Sequence, residues 1–166
     1  MDVPFVLTVA VEENAFEFFN ALRKIYFPGS NEMDAHLTLF HLLPSELSII
    51  ETIETLSQET SPLLLHVRKP FFTGSGVAYE IECPDLVQMH EQLRREWNSF
   101  LIPQDQENFL PQITIQDEAS PTEAQELLEF LKENFSTFYM QGTGLQLWQY
   151  DNGSHKLFRE FRFSKD

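Results

Sequence analysis

Apolar residues along this chain repeat with two different periods, which alternate from segment to segment. A period of two predicts strands, and recurrence every three or four residues predicts helices. The predicted elements, in chain order, are a strand over 3–12, a helix over 13–26, a loop over 29–34, a strand over 35–41, a helix over 44–60, strands over 63–69 and 76–82, a helix over 84–100, a loop over 103–108, a strand over 111–116, a helix over 120–134, and strands over 135–141, 144–150 and 155–163. No linker or low-complexity tract interrupts the series, so we expect a single domain over 1–166.

The strand over 35–41 carries two polar side chains on one face. Alternation places His36, Thr38 and Phe40 on that face and Leu37 and Leu39 on the other. If the leucines enter the core, an imidazole and a hydroxyl stand side by side, which suits binding and protonating a phosphate. An incidental half-exposed pair is the alternative, and it is the commoner case for a single His-x-Thr.

A second stretch, over 111–116, repeats this arrangement. Gln112, Thr114 and Gln116 alternate with Ile113 and Ile115, and Thr114 follows Thr38 by 76 residues. The order of strand, helix, polar strand and helix also occurs twice. These repeats predict an internal duplication that forms two lobes within the one domain.

Paired glycines follow each of the two polar strands. Gly74-Ser75-Gly76 precedes the strand over 76–82, and Gly142-Thr143-Gly144 precedes the strand over 144–150. Their matching positions favour the duplication. The alternative is that both are simply tight β-turns, in which paired glycines are common.

Composition narrows the class of protein. With 166 residues, 42% of them hydrophobic, the chain can bury one sizeable core. Cys83 is the one cysteine, which excludes an intramolecular disulfide and a cysteine metal site and favours a reducing compartment. The N-terminal stretch lacks a positively charged leader, and no apolar run approaches membrane-spanning length. We therefore expect a cytoplasmic protein that has no membrane association.

The net charge of the chain limits the classes of ligand that it is expected to bind. Eleven Lys and Arg residues stand against 26 Asp and Glu, a formal net charge of −15. Long nucleic acids are held chiefly by cations on their phosphates, so they are not expected to bind. A small phosphorylated ligand needs only one local cation or a few donors, and it remains a candidate partner.

The two polar strands resemble the paired His-x-Thr motifs of the two-histidine (2H) phosphoesterases, which include 2′-5′ RNA ligase-like proteins and cyclic phosphodiesterases. The resemblance lies in Ala35-His36-Leu37-Thr38-Leu39-Phe40-His41 and Phe109-Leu110-Pro111-Gln112-Ile113-Thr114-Ile115-Gln116, and it extends over nearly the whole chain. It implies an α+β fold of two pseudo-symmetric antiparallel-sheet lobes, with helices outside and a central cleft. We expect no cofactor, and no metal site because the histidines lack metal-ligand spacing.

The second motif departs from the family pattern, because Gln112 stands where the family has its second histidine. In the family, one imidazole activates the nucleophile, the other protonates the leaving oxygen, and the threonines hold phosphate oxygens. An amide can donate a hydrogen bond but cannot transfer a proton at neutral pH. The resemblance therefore assigns catalysis to His36 and Thr38 and substrate binding to Gln112 and Thr114, with impaired turnover.

Two further residues are candidates for substrate binding. Arg159 shares a predicted strand face with Phe161 and could serve as a phosphate cation, with a salt bridge at the sheet edge as the alternative. Tyr150 and Trp148 share a face and could stack a base, although core packing is the favoured role for Trp148. Structural roles are assigned to the other four histidines, which are His41, His66, His90 and His155. His41 is assigned such a role because it falls on the strand face opposite His36.

Three functions stay open. The first is a phosphoesterase acting on a small cyclic nucleotide or phosphodiester. The second is a non-catalytic module that binds a nucleotide or phosphate in the same cleft. The third is a protein-interaction role with a vestigial cleft. In each case we expect a monomer.

Overall fold

The fold is known from a computed structural model, which describes residues 3–28 and 33–166. The predicted loop over 29–34 lies outside the described residues except for its last two positions. None of the described helices is long and apolar enough to cross a membrane. The described elements, in chain order, are β1 (Phe5–Val11), α1 (Glu13–Tyr26), β2 (Leu37–Leu43), α2 (Leu47–Gln58), β3 (Leu63–Phe72), β4 (Val77–Glu82), α3 (Pro84–Glu96), α4 (Pro103–Gln106), β5 (Gln112–Gln116), α5 (Pro121–Glu133), β6 (Phe138–Asp151) and β7 (Ser154–Arg162).

The seven strands among the described residues join one antiparallel sheet. Six of them follow the order β2-β1-β6-β3-β4-β5, and β7 pairs with β6. Read from its other end, the order places β5, β4 and β3 where β2, β1 and β6 stand. Each strand of the first half of the chain therefore has a counterpart three strands later. The predicted α+β class with antiparallel strands is confirmed, but a continuous sheet connects the two halves. The internal duplication stays a prediction.

The sheet curls until its two edges meet. β2 and β5 are the outermost strands in the order, yet they contact each other directly. Helix α1 packs against β5 and so bridges the first and last parts of the sheet. This curl matters for function because β2 and β5 carry the two polar motifs.

Strand β6 corrects the sequence prediction around the second glycine pair. The chain was expected to form two strands separated by a glycine turn, but Gly142, Thr143 and Gly144 lie inside one continuous strand. At Gly142, β6 pairs with both β3 and β1. A Cβ on Gly144 would lie 2.4 Å from the carbonyl oxygen of Phe161. These glycines therefore permit close strand packing, whereas Gly74, with φ +104°, does lie in a turn.

Strand β2 is irregular, and this changes which side chains share a face. Its pairing with β1 shifts register twice, between Thr38 and Phe40 and between Phe40 and Leu43. Each extra residue in a strand reverses the alternation of faces. Phe40, predicted to lie beside His36 and Thr38, is therefore fully buried.

Helix boundaries largely follow the predictions. The capping box before α5 is confirmed: Ser120 accepts a hydrogen bond from the Glu123 amide at 3.2 Å, and the Glu123 carboxylate accepts one from the Ser120 amide at 3.1 Å. Two details were wrong. Phe100, expected to face inward from a longer α3, lies in a 3₁₀ turn and is 36% exposed. The expected polar loop over 103–108 contains α4, whose Asp105 is buried.

Candidate phosphate-binding cleft between the edge strands

A cleft of about 500 Å³ lies where β2 and β5 meet. His36 and Thr38 line it from the β2 side, and Gln112 and Thr114 line it from β5. All four side chains are half-buried, so a small ligand can reach them. The structure thus brings together the two motifs that lie 76 residues apart in the sequence.

The imidazole of His36 has a defined tautomer. Its Nδ1 lies 2.7 Å from the carbonyl oxygen of Asp34. A carbonyl oxygen only accepts, so Nδ1 carries the hydrogen and the lone pair of the neutral ring is on Nε2. In this tautomer, Nε2 can accept a proton from a water or hydroxyl group.

Arg23 is a cleft residue that the sequence analysis missed. It is 6% exposed, and its Nη1 donates to the carbonyl oxygen of Thr114 at 2.9 Å. Its guanidinium also lies over the Phe27 ring, 5.1 Å from the ring centre. A signal was present in the sequence, because Arg23 follows Ala15 and Phe19 at four-residue intervals on the buried face of α1. An arginine on such a face is expected to meet a partner or ligand.

His41 also lines the cleft, which corrects its predicted position. The register shift between Thr38 and Phe40 reverses the alternation once and brings it to the cleft side, although simple alternation put it opposite His36. Its Nδ1 lies 2.8 Å from the carboxylate of Asp105. The Asp105 side chain is 1% exposed, while that of His41 is 49% exposed. A buried carboxylate therefore fixes an imidazole that remains accessible.

His90 lies in a stack of three rings at the same cleft. Its imidazole is nearly parallel to Phe40 at 4.5 Å and to Phe109 at 4.3 Å. Burial lowers the pKa of His90 from its ordinary value of 6.5. The neutral ring acts here as a flat packing element, consistent with the structural role predicted for it.

Acidic side chains also face the cleft. Glu107, Asp117 and Glu118 line it together with the buried Asp105. The cleft therefore combines these four carboxylates with the one arginine, Arg23, that lines it among the described residues.

Two predicted binding residues lie elsewhere. Arg159 forms an ion pair with Glu54 of α2 at 2.5 Å and stacks over Phe161 at 4.6 Å. The cause is that α2 packs against β7 on this face. Tyr150 is 40% exposed near the end of β6, with its ring 4.8 Å from that of His155. Neither Arg159 nor Tyr150 is among the described residues that line the cleft.

A second cavity, of about 290 Å³, adjoins the cleft at His36, which lines both. Its walls are mainly apolar and include Phe16 and Trp148. Trp148 is half-buried, and its indole Nε1 donates to the Thr8 hydroxyl at 2.9 Å. The indole is therefore held in place with part of its surface facing the cavity.

Comparisons with known proteins agree with this architecture. The model of the 2′-5′ RNA ligase superfamily matches residues 11–154. A "putative phosphoesterase" of Bacillus mycoides strain KBAB4 is 28% identical over 158 residues, covering 89% of each chain.

Solved structures share the fold. The protein TT0787 of Thermus thermophilus has a TM-score of 0.70 at 15% identity, over 97% of this chain and 98% of that one. LigT of Escherichia coli in complex with 3′-AMP has a TM-score of 0.60 at 15% identity, over 99% of this chain and 100% of that one. With a family match across most of its length, the chain belongs to the 2′-5′ RNA ligase superfamily.

Proposed function

We propose that the cleft binds the phosphate of a small nucleotide or cyclic phosphodiester, and that the protein hydrolyses this ligand slowly because residue 112 is a glutamine. The observation that carries this proposal is the meeting of His36, Thr38, Gln112 and Thr114 on one cleft. Two hydroxyls and an amide supply neutral donors, and the Arg23 guanidinium supplies positive charge. Together they suit a single phosphate group.

Relatives of the same fold support a small phosphorylated ligand. LigT has been solved in complex with 3′-AMP, with NADP⁺ and with phosphate. The acidic residues at the cleft favour such a ligand over a long nucleic acid.

The second cavity is the proposed site for the base of a nucleotide. It adjoins the phosphate-binding cleft through His36, and Trp148 offers an aromatic surface there. A purine or pyrimidine stacks well on such a ring. We therefore assign base stacking to Trp148 in place of Tyr150.

Slow turnover follows from the chemistry of the two facing motifs. His36 can accept a proton at Nε2, but the Gln112 amide can neither accept nor release one at neutral pH. Loss of one general acid or base costs about 10²–10⁴-fold in rate. The same observation favours a second candidate function, a module that binds the nucleotide without turning it over.

Removing the threonine hydroxyls tests phosphate binding. Thr38→Val and Thr114→Val should each weaken binding of inorganic phosphate or a 2′,3′-cyclic nucleotide by about 1.5–3 kcal/mol, because each removes a hydrogen bond to a charged group. Isothermal titration calorimetry measures this loss. Thr52→Val, at a partly exposed site in α2, is the matched control. If the parent binds neither ligand, the cleft is not a phosphate site and the protein-interaction function becomes the better explanation.

A further inference from the structure

We propose that His41, held by Asp105, is a further catalytic residue of this cleft that transfers, less efficiently than an imidazole at position 112 would, the proton that Gln112 cannot. The inference rests on the proposed phosphate-binding function. It concerns a residue outside the two motifs, in a chain whose second motif has no imidazole.

Asp105 fixes the orientation of the His41 ring. The buried carboxylate accepts hydrogen bonds from the backbone amides of His41 and Leu42, at 2.9–3.1 Å, and lies 2.8 Å from His41 Nδ1. A carboxylate only accepts, so Nδ1 carries a hydrogen and Nε2 is the reactive nitrogen. No described residue bonds to Nε2 of His41. His41 lines the cleft, and its side chain is 49% exposed.

His41 lies within reach of a ligand held by the motif residues. It follows Thr38 by three positions on the same strand, which separates their Cα atoms by at most about 10 Å, and the irregular register of β2 shortens this. Both side chains extend into the same cleft. A phosphodiester whose phosphate contacts Thr38 can therefore direct its leaving group toward His41.

The reaction step balances with two imidazoles. A water molecule attacks phosphorus while Nε2 of His36 accepts its proton. The new P–O bond forms as the bond to the leaving alkoxide breaks, and that oxygen takes the proton from Nε2 of protonated His41. When protonated, His41 forms an ion pair with Asp105, which suits it to be the proton donor. Exchange with solvent restores both rings.

A purely structural role would not need the imidazole. The backbone bonds to Asp105 already connect α4 to the irregular part of β2. The ring adds a bond through Nδ1 only, and its other nitrogen bonds to no described residue. A catalytic and a structural role of His41 therefore predict different rates for a variant that lacks the imidazole but still donates a hydrogen bond to Asp105.

His41→Asn makes that distinction, because the amide can keep a donor on Asp105 while proton transfer is lost. In the parent, the variant should lower kcat for a 2′,3′-cyclic nucleotide by about 10²-fold or more. In a Gln112→His background, where a second imidazole is present, the loss should be at least about tenfold smaller, a coupling of about 1.4 kcal/mol. Equal losses in both backgrounds would assign His41 a structural role.

The leaving group provides a second readout. A 4-nitrophenyl phosphodiester releases a stable phenolate that needs no proton, so His41→Asn should slow its hydrolysis much less than that of the cyclic nucleotide. His36→Ala should slow both, since water must still be activated. Equal slowing of both substrates by His41→Asn overturns the proposal. The proposal is also overturned if the parent hydrolyses the cyclic nucleotide no faster than His36→Ala does. In that case, binding of the nucleotide measured by calorimetry would still support the proposed function.

Discussion

The side-chain amide of Gln112 can donate and accept hydrogen bonds but cannot transfer a proton at neutral pH. Its position beside Thr114 could be anticipated from the alternation of residues in the sequence. The positions of Arg23 and His41 could not. Arg23 reaches the cleft from a helix, and His41 reaches it because β2 departs from regular pairing. Helical spacing places Arg23 on the buried face of α1 but does not say which strand it meets, and alternation gives no sign of the register shifts in β2.

His90 provides a prediction about stability and pH. Burial between Phe40 and Phe109 lowers its pKa in the folded state from 6.5, so the unfolded chain takes up a proton at higher pH than the folded protein. The stability from neutral His90 is complete above the unfolded pKa of 6.5 and is lost as pH falls toward the lowered folded pKa.

Replacing this ring should flatten the pH dependence. The free energy of unfolding of the parent should decrease as pH falls below about 6.5, and that of His90→Gln should decrease less over the same interval. Urea unfolding at a series of pH values measures both. Parallel curves for the two proteins would show that His90 does not bind fewer protons in the folded state.

At the scale of elements, the predictable parts of the fold were those set by local sequence. Helix α1 was predicted with the bounds that it has, and the capping box fixed the start of α5. Strand β6 was divided in two because glycines usually mark turns. Here they lie where strands pack closely on both sides, a condition set by distant residues.

Gly144 tests this explanation of β6. Gly144→Ala would put a methyl group 2.4 Å from the Phe161 carbonyl oxygen, so the strands must separate. We expect a loss of about 1–3 kcal/mol in the free energy of unfolding, measured by urea denaturation. Gln141→Ala, at an exposed position of the same strand, should change it by no more than about 0.5 kcal/mol. Equal effects of the two changes would contradict the close-packing role.

At the scale of the whole molecule, the sequence predicted the α+β class and the pairing of the two motifs. It did not predict that one sheet connects both halves. That connection depends on β6 pairing with β1, β3 and β7, and long-range pairing leaves no local pattern. The curl of the sheet then makes a cleft from its two edges. In the proposed function, the formal charge of −15 disfavours binding of a long polyanion, and Arg23 is the cation assigned to a single phosphate.

The most direct test is to return an imidazole to the second motif. Gln112→His should raise hydrolysis of a 2′,3′-cyclic nucleotide by about 10²–10⁴-fold. The gain should require His36, so it should disappear when His36→Ala is added. The rate of the restored enzyme should show a bell-shaped dependence on pH, since one imidazole must be neutral and the other protonated. If Gln112→His binds the nucleotide but hydrolyses it as slowly as the parent, the cleft is not a phosphoesterase site disabled at position 112, and a binding module is the better explanation.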